Sequence, residues 1–352
     1  MPGAEKAMQR VDAWYQCEIL DRAPVRFMAH NAFLDTGVDY AALSPEERRA
    51  RWFDVEYQVD LFERSIEGRT FHGETFPIYW PNLGPNVYAS FYGLELEFGE
   101  ATSWSQPIVH DWDDLDCLRL DRDNVYFLKI EELTRHALER CQGRYLVGYT
   151  DLHPGIDCAS AWRGMDQLCV DMVDSPEQVQ ELAQRAIVDF EALYDHFDDM
   201  LKAHRQPSSS WMGIPSFGRM HIPSCDFATL ISRQHFEQFA LPVLQREVRT
   251  MTHNVFHLDG KGVARHLDAI LSVPQIHAIQ WVQGVGDDWP IMQWVPFIKQ
   301  IQARGVPVIV DLGKEELEEF MALMDPEGLF LWVATETEEE ELDLIKRVET
   351  WT

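Results

Sequence analysis

The chain has 352 residues, of which 46% are apolar and 12% aromatic, so it can bury a large core. This composition is not typical of a disordered protein. Its 59 acidic and 30 basic side chains give a formal net charge of -29, which argues against nucleic acid and anionic membrane surfaces as partners. Without a signal-like N-terminus or a long apolar run, the sequence predicts a cytoplasmic protein.

The first half of the chain contains four short apolar runs that we interpret as β-strands. In chain order they are APVRFMAH (23–30), FPIYWP (76–81), RYLVGYT (144–150) and SSSWMGI (208–214). Helical patterns over 175–201 and 232–251 follow the third and fourth runs.

In the second half, four apolar runs alternate with four helical patterns. The runs are VFHLDG (255–260), HAIQWV (277–282), VPVIVDL (306–312) and LFLWVAT (329–335). Such alternation is typical of parallel strands joined by crossover helices. Eight units predict an α/β fold, a (β/α)8 TIM barrel forming one domain over 1–352, with insertions in the βα loops, chiefly over 84–125. No GxGxxG follows a strand, which disfavours an open dinucleotide-binding sheet.

A TIM barrel builds its active site at the carboxyl ends of its strands, so the polar residues there are the candidate site residues. The candidate catalytic groups are Tyr149, Asp151, His153 and Asp226. The candidates for substrate binding are His30, Asn31, Trp80, Trp211, Gln280 and Trp281. The tryptophans could equally well pack in the barrel core or form the walls of a pocket.

The stretch FHLDG places His257 and Asp259 two residues apart, so in a strand both side chains point to the same face. Charged groups that converge in a buried site need a compensating charge. A divalent metal bound by His257, Asp259 and Glu336 would supply it, with zinc as the first candidate. Ion pairing without a metal would also supply it, and Asp259 could instead cap the next helix. The sequence leaves these alternatives open.

Three segments resemble the uroporphyrinogen decarboxylase superfamily. RVDAWYQCEILDRAPVRFM (10–28) is similar to its opening R…A…DR.PV..M segment, and CDFATLISRQHFEQFALPVLQREV (225–248) is similar to its ISPE.F.EF.LP helix. FHLDGKGVARHLDAIL (256–271) lies where the corrinoid-linked methyltransferase branch has a strand with H-x-C-G. The likeness covers most of the chain and implies a uroporphyrinogen-decarboxylase-like TIM barrel.

The resemblance implies either decarboxylation or methyl transfer. The porphyrinogen decarboxylases grip substrate propionates with an arginine pair after the first strand, where this chain has Ala29 and Phe33. The thiol methyltransferases bind zinc through a His, a Cys two residues on and a later Cys. Here His257 matches the first ligand, Asp259 stands in for the second, and no cysteine follows Cys225. A site of nitrogen and oxygen ligands favours oxygen substrates over thiols.

We therefore predict a metal-assisted, methyltransferase-like enzyme that acts on a small polar or ring-containing substrate. The expected partners are that small molecule and a corrinoid protein, which would carry the corrinoid cofactor, with a homodimer as a further option. One alternative is a decarboxylase or lyase of a non-porphyrin acid, with or without a metal. Another is a barrel that binds a small ligand without catalysis.

Overall fold

Most strands of the fold pair in parallel. In the computed structural model, which describes residues 3–29 and 37–351, ten strands form three sheets. The largest sheet has six parallel strands in the order β1-β10-β9-β8-β7-β6, β2 pairs with β5, and β3 and β4 form an antiparallel hairpin. The strands are β1 Val25–Ala29, β2 Ile78–Tyr79, β3 Leu96–Phe98, β4 Ser103–Ser105, β5 Leu146–Val147, β6 Met220–His221, β7 His253–Asp259, β8 Ala278–Val282, β9 Val308–Leu312 and β10 Leu329–Thr335.

Helices connect and cover these strands. They are α1 Ala4–Tyr15, α2 Pro45–Phe53, α3 Val55–Ile66, α4 Val87–Ser90, α5 Val125–Cys141, α6 Gly155–Arg163, α7 Met165–Asp174, α8 Pro176–Ile187, α9 Phe190–Ala203, α10 Arg233–His235, α11 Leu241–Glu247, α12 Gly260–Ala264, α13 Leu267–Ile270, α14 Val295–Gln302, α15 Leu317–Leu323 and α16 Glu338–Glu349. A π-helical turn, Phe236–Ala240, joins α10 to α11. None of the described helices combines the length and apolar character needed to cross a bilayer.

The curled six-stranded sheet separates two apolar clusters. The larger cluster lies between the sheet and its helices and includes Phe256 and Leu258 of β7. The smaller cluster lies on the inner face, where Val255 of β7 packs with Ala278, Ile309 and Phe330 from the next three strands. Each fully buried aliphatic or aromatic side chain of this kind contributes about 1.5–3 kcal/mol. Because both faces of the sheet are buried, the sequences of these strands are nearly continuous apolar runs.

The strand ladders do not form the predicted closed barrel of eight strands. Among the described residues, no ladder joins β1 to β2 or β5 to β6. Single backbone hydrogen bonds lie at these places: Glu74 N donates to Val25 O (2.8 Å), and Tyr149 N donates to Ser209 O (2.9 Å). The carbonyl of Pro77, directly before β2, accepts from Leu146 N (2.9 Å), so this residue pairs on the β5 side. The sheet is therefore a parallel half-barrel in a mixed α/β fold.

The prediction of a fourth strand over 208–214 was wrong. Only Ser208 pairs there, in an antiparallel bridge with Ser216, and the strand beside β7 is β6. The chain turns instead at Gly213, which has a left-handed φ of 68°. Two flanking prolines, Pro207 and Pro215, lack the N–H groups that a central strand needs.

A buried ion pair fixes the entry to β1. Glu74 is fully buried and accepts hydrogen bonds from both terminal nitrogens of Arg22 (2.8 and 3.0 Å), from Arg10 Nη1 (3.0 Å) and from Val25 N (2.7 Å). Arg22 is the arginine of the DR.PV segment, so its role in this chain is structural. The pair ties the start of β1 to the segment that leads into β2.

Removal of this carboxylate should destabilise the protein strongly. Glu74→Ala leaves Arg22 buried without its partner, so we expect the free energy of unfolding to fall by about 3–5 kcal/mol. Urea unfolding followed by circular dichroism measures this loss. Glu319→Ala, at an exposed position, is the control and should change stability by less than about 0.5 kcal/mol. Equal stability of the two variants would contradict the structural role of Glu74.

Candidate functional site

Three groups that could bind a metal converge beyond the ends of β6 and β7. Asp226, His257 and Asp259 each offer one ligand atom, and these atoms all lie within 4.8 Å of one another. Asp226 joins the two residues predicted from FHLDG as a ligand candidate. Glu336, the third predicted ligand, is not in this group of described residues, and its backbone N donates to Glu340 Oε2 (2.8 Å).

The neighbours of His257 determine which ring nitrogen is free. Nδ1 of His257 lies 2.6 Å from Gln280 Oε1, and the two residues are direct partners in the ladder between β7 and β8. Because a carboxamide oxygen only accepts, Nδ1 carries the proton in the neutral form of the ring, and Nε2 then keeps its lone pair. Trp211 contacts the same ring edge to face, with ring centroids 5.1 Å apart. Gln280 and Trp211 thus orient the imidazole as outer partners orient metal-binding histidines.

Asp157 holds the loop that carries Asp226. Its Oδ2 accepts from Asp226 N (3.0 Å) and Ser224 Oγ (3.2 Å), and its Oδ1 accepts from Phe227 N (3.0 Å). Asp226 is exposed to solvent, but surrounding atoms desolvate its carboxyl, and this desolvation and the charge of Asp157 raise its pKa to about 6, although His257 and His153 act in the opposite direction. Asp157 lies in the first turn of α6.

His153 is a protonated histidine beside this loop. Its Nε2 lies 2.6 Å from Asp151 Oδ1, and its Nδ1 lies 2.8 Å from Ser224 Oγ. Burial lowers the pKa of His153, but Asp151, Asp157 and Asp226 together outweigh burial and raise the pKa to about 9. The structure therefore brings the predicted residues Asp151, His153 and Asp226 into one network through Ser224 and Asp157.

Tyr149 lies behind this network and is enclosed. Its hydroxyl donates to Met220 O (3.0 Å) and lies 3.3 Å from His221 Nδ1, and His221 Nε2 lies 2.8 Å from Glu247 Oε1. Burial lowers the pKa of His221 and raises the pKa of Glu247, so it disfavours the charged form of each group. The two side chains are hydrogen-bonded to each other, and the His221 ring is also within hydrogen-bond distance of the Tyr149 hydroxyl. This arrangement satisfies the buried polar groups and leaves Tyr149 away from the solvent-exposed ligands.

A polar layer lies on the inner face of the sheet, next to the inner apolar cluster and closer to the carboxyl ends of the strands. On β7, β8, β9 and β10, the residues two positions beyond Val255, Ala278, Ile309 and Phe330 point to the same interior. The ladders set Arg26 of β1 beside Trp332 of β10, and Trp332 beside Asp311 of β9. This polar layer consists of His257, Gln280, Asp311, Trp332 and Arg26. Three of its members, His257, Asp311 and Arg26, are only half-buried, so solvent reaches the layer.

The remaining predicted residues lie elsewhere. Trp281 is fully buried on the opposite face of β8 from Gln280, against Trp294 and Phe297. Trp80 is half-buried, and its indole nitrogen has no hydrogen-bond partner among the described residues. His30 and Asn31 fall outside the described residues.

The sequence reasoning missed Asp157, Arg26 and Trp332. Two-residue alternation within VRFMA and LFLWVAT was the available signal for Arg26 and Trp332, because it places both on the inner face. Nothing in the sequence pointed from Asp157 to the loop around Asp226.

Comparison with solved structures identifies the fold. It is similar to that of a methyltransferase from Methanosarcina mazei. The two structures align with a TM-score of 0.59 and 12% sequence identity over 97% of this chain and 98% of that chain. No protein-family model matches the sequence, and no curated protein matches it as a relative. At this low identity, the likeness establishes a shared fold over nearly the whole chain.

The pKa of His153 predicts how stability depends on pH. Because this pKa is raised in the folded protein, the stabilisation is fully present below about pH 6.5 and is lost as the pH rises through about 9. We expect Asp151→Asn to remove a contribution on the order of 1–3 kcal/mol at pH 7 and to flatten the decline in stability between pH 7 and 9.5. Urea unfolding at several pH values measures it. The exposed Asp174→Asn control should keep the wild-type profile, and an equally steep decline in Asp151→Asn would contradict the assignment.

Proposed function

We propose that the chain is a metal-dependent methyltransferase that acts on an oxygen atom of a small molecule. The observation that carries the proposal is the convergence of Asp226, His257 and Asp259, whose ligand atoms lie within 4.8 Å of one another. The fold supports it, because a methyltransferase from Methanosarcina mazei shares that fold. We further propose that the half-barrel is a distorted (β/α)8 barrel of the uroporphyrinogen decarboxylase type, with the hydrogen bonds beside β1 and β5 at its two irregular junctions.

The three side chains fit a divalent cation. Two carboxylates and a neutral imidazole offset the charge of a 2+ ion and leave positions open for water or substrate. Asp226 and Asp259 are exposed, which gives an ion a path to the ligands. Since the set contains no thiolate, it suits zinc, manganese or iron with an oxygen substrate. Zinc is the first metal to test.

The residues around the ligands can manage the proton that methyl transfer requires. A bound divalent cation would polarise the substrate oxygen. When a methyl group is removed, its bond to oxygen breaks, the methyl group passes to the reduced cobalt of a corrinoid partner, and the oxygen gains a proton. We assign the supply of that proton to His153, which is protonated at neutral pH and is joined to the Asp226 loop through Ser224 and Asp157.

A lyase is the second candidate. The protonated His153 and the Asp226 carboxyl, with a pKa of about 6, form an acid and base pair near neutral pH that would work without a metal. A decarboxylase needs such a group to protonate the carbanion that carbon dioxide leaves behind. The two candidates differ in their need for a cation and for a corrinoid.

Metal analysis tests the first half of the proposal. After removal of metal with EDTA and dialysis against buffered zinc, we expect one zinc per chain in the wild type. His257→Ala and Asp259→Ala should each retain less than about a tenth of that zinc, and Asp157→Asn should weaken zinc affinity about 10- to 100-fold by releasing the Asp226 loop. Glu336→Ala is the matched control and should bind zinc as the wild type does. Equal zinc content in all of these proteins would refute the metal site.

Methyl transfer is tested with cobalamins. Zinc-loaded protein is incubated with cob(I)alamin and a panel of methyl ethers, and formation of methylcobalamin is followed by its absorbance. We expect turnover in the wild type and a loss of at least about 100-fold in His257→Ala. Decarboxylation of small acids with no methylcobalamin formed, in the presence or absence of zinc, would favour the lyase instead.

A further inference from the structure

Arg26 is a cation on the inner face of the sheet with few partners. Among the described residues, its one recorded hydrogen bond goes from Nη1 to Met212 O, and its guanidinium carbon lies 4.5 Å from the centroid of the Trp332 ring. In the part of the chain that the structure describes, no carboxylate forms an ion pair with Arg26, although the charge of Asp311 acts on it. A guanidinium has five N–H donors, so most of them have no partner among the described residues.

The neighbouring Asp311 does not supply the missing partner. Its Oδ1 is buried and has no hydrogen-bond partner among the described residues. Burial lowers the pKa of Arg26 to about 10, and Asp311 offsets only part of this effect. Burial likewise raises the pKa of Asp311 to about 6. Arg26 and Asp311 lie on either side of Trp332, and both have hydrogen-bonding capacity that the described residues do not use, which fits a ligand-binding surface.

The backbone makes room for this guanidinium. A Cβ placed on Gly213 would lie 3.0–3.2 Å from the terminal atoms of Arg26, and Gly213 also has a left-handed φ of 68°. Met212, directly before it, supplies the carbonyl oxygen that Arg26 contacts. The turn therefore holds the guanidinium in a set position, as recognition of a planar anion requires.

The same turn connects Arg26 to the candidate metal ligands. Trp211, the residue before Met212, packs edge to face on His257. Arg26 and His257 thus lie at two ends of one polar layer, on either side of a turn only three residues long. A small molecule that reaches the oxygen-activating end would present its other end to Arg26.

We infer that Arg26 binds a carboxylate of the substrate, while the reacting oxygen of the same molecule lies at Asp226, His257 and Asp259. The carboxylates around the metal ligands repel an anion there, whereas the guanidinium offers two parallel N–H donors to one. Trp211, which is half-buried, gives a flat apolar contact beside His257. The substrate class is therefore a small carboxylic acid that carries a methyl ether or hydroxyl group. This inference rests on the proposed function for the role of the acid, but anion binding at Arg26 is measurable without it.

Equilibrium dialysis with labelled benzoate and phenylacetate tests the inference on EDTA-treated protein, so that no metal can bind the carboxylate. We expect saturable binding of at least one of these acids to the wild type and no comparable binding of the neutral benzamide. Arg26→Met should weaken binding by at least about tenfold. Arg26→Lys keeps the positive charge but loses the planar guanidinium, so its affinity should lie between those of the wild type and Arg26→Met. Arg249→Met, which removes an arginine that meets Glu191 at 3.6 Å in an exposed pair, is the matched control and should bind as the wild type does.

Each possible result of this experiment either supports or overturns carboxylate binding at Arg26. Circular dichroism first establishes that the variants are folded, and if Arg26→Met does not fold, the comparison rests on Arg26→Lys. Unchanged carboxylate binding in the folded Arg26 variants, or no saturable binding of either acid to the wild type, would overturn it. Because the dialysis is free of metal, loss of the zinc site would refute the proposed function and leave carboxylate binding intact. Loss of carboxylate binding with normal zinc content would refute this inference alone.

Discussion

The two-residue period of the parallel strands is the constraint on which the rest of the structure depends. Successive side chains on β7 to β10 point alternately to the helices and to the interior, so one register fixes both the apolar core and the polar layer. A slip of one residue in β7 would turn Leu258 inward and place His257 in the outer apolar cluster without Gln280. Such a slip would bury the imidazole without a hydrogen-bond partner, which costs free energy. The strand pairing that forms the apolar core therefore also positions His257 in the candidate site.

Charge balance organises the side chains beyond the strand ends. Asp157 is satisfied by two backbone amides and a hydroxyl, and Asp151 is satisfied by a protonated His153. Among the described residues, the carboxylates of Asp226 and Asp259 have no such partners, and each offers a ligand atom within 4.8 Å of a ring nitrogen of His257. Their arrangement differs from the enclosed pair of His221 and Glu247, which are both buried and hydrogen-bonded to each other. The contrast between a satisfied inner network and an unsatisfied outer group supports a role for the outer group in binding.

The nature of the ligands bears on the reaction. In the thiol methyltransferases that the sequence resembles, sulfur ligands suit zinc for the activation of a soft thiol. Oxygen ligands in place of sulfur would suit the proposed activation of an oxygen, and Arg26 at the other end of the polar layer would suit the proposed recognition of an acid. In a chain with a net charge of -29, Arg26 is a local cation toward which an anion would be attracted.

The sequence by itself determined the parallel α/β organisation and the common face of His257 and Asp259, because both follow from short periods along the chain. It did not determine that, among the described residues, no ladder joins β1 to β2 or β5 to β6, or that 208–214 turns at Gly213, since both depend on how distant segments meet. Only the tertiary structure placed Asp226 beside the two β7 ligands, Trp281 on the outer face and Asp157 under the loop. Those positions depend on contacts between residues far apart in sequence, and local periodicity carries no information about such contacts.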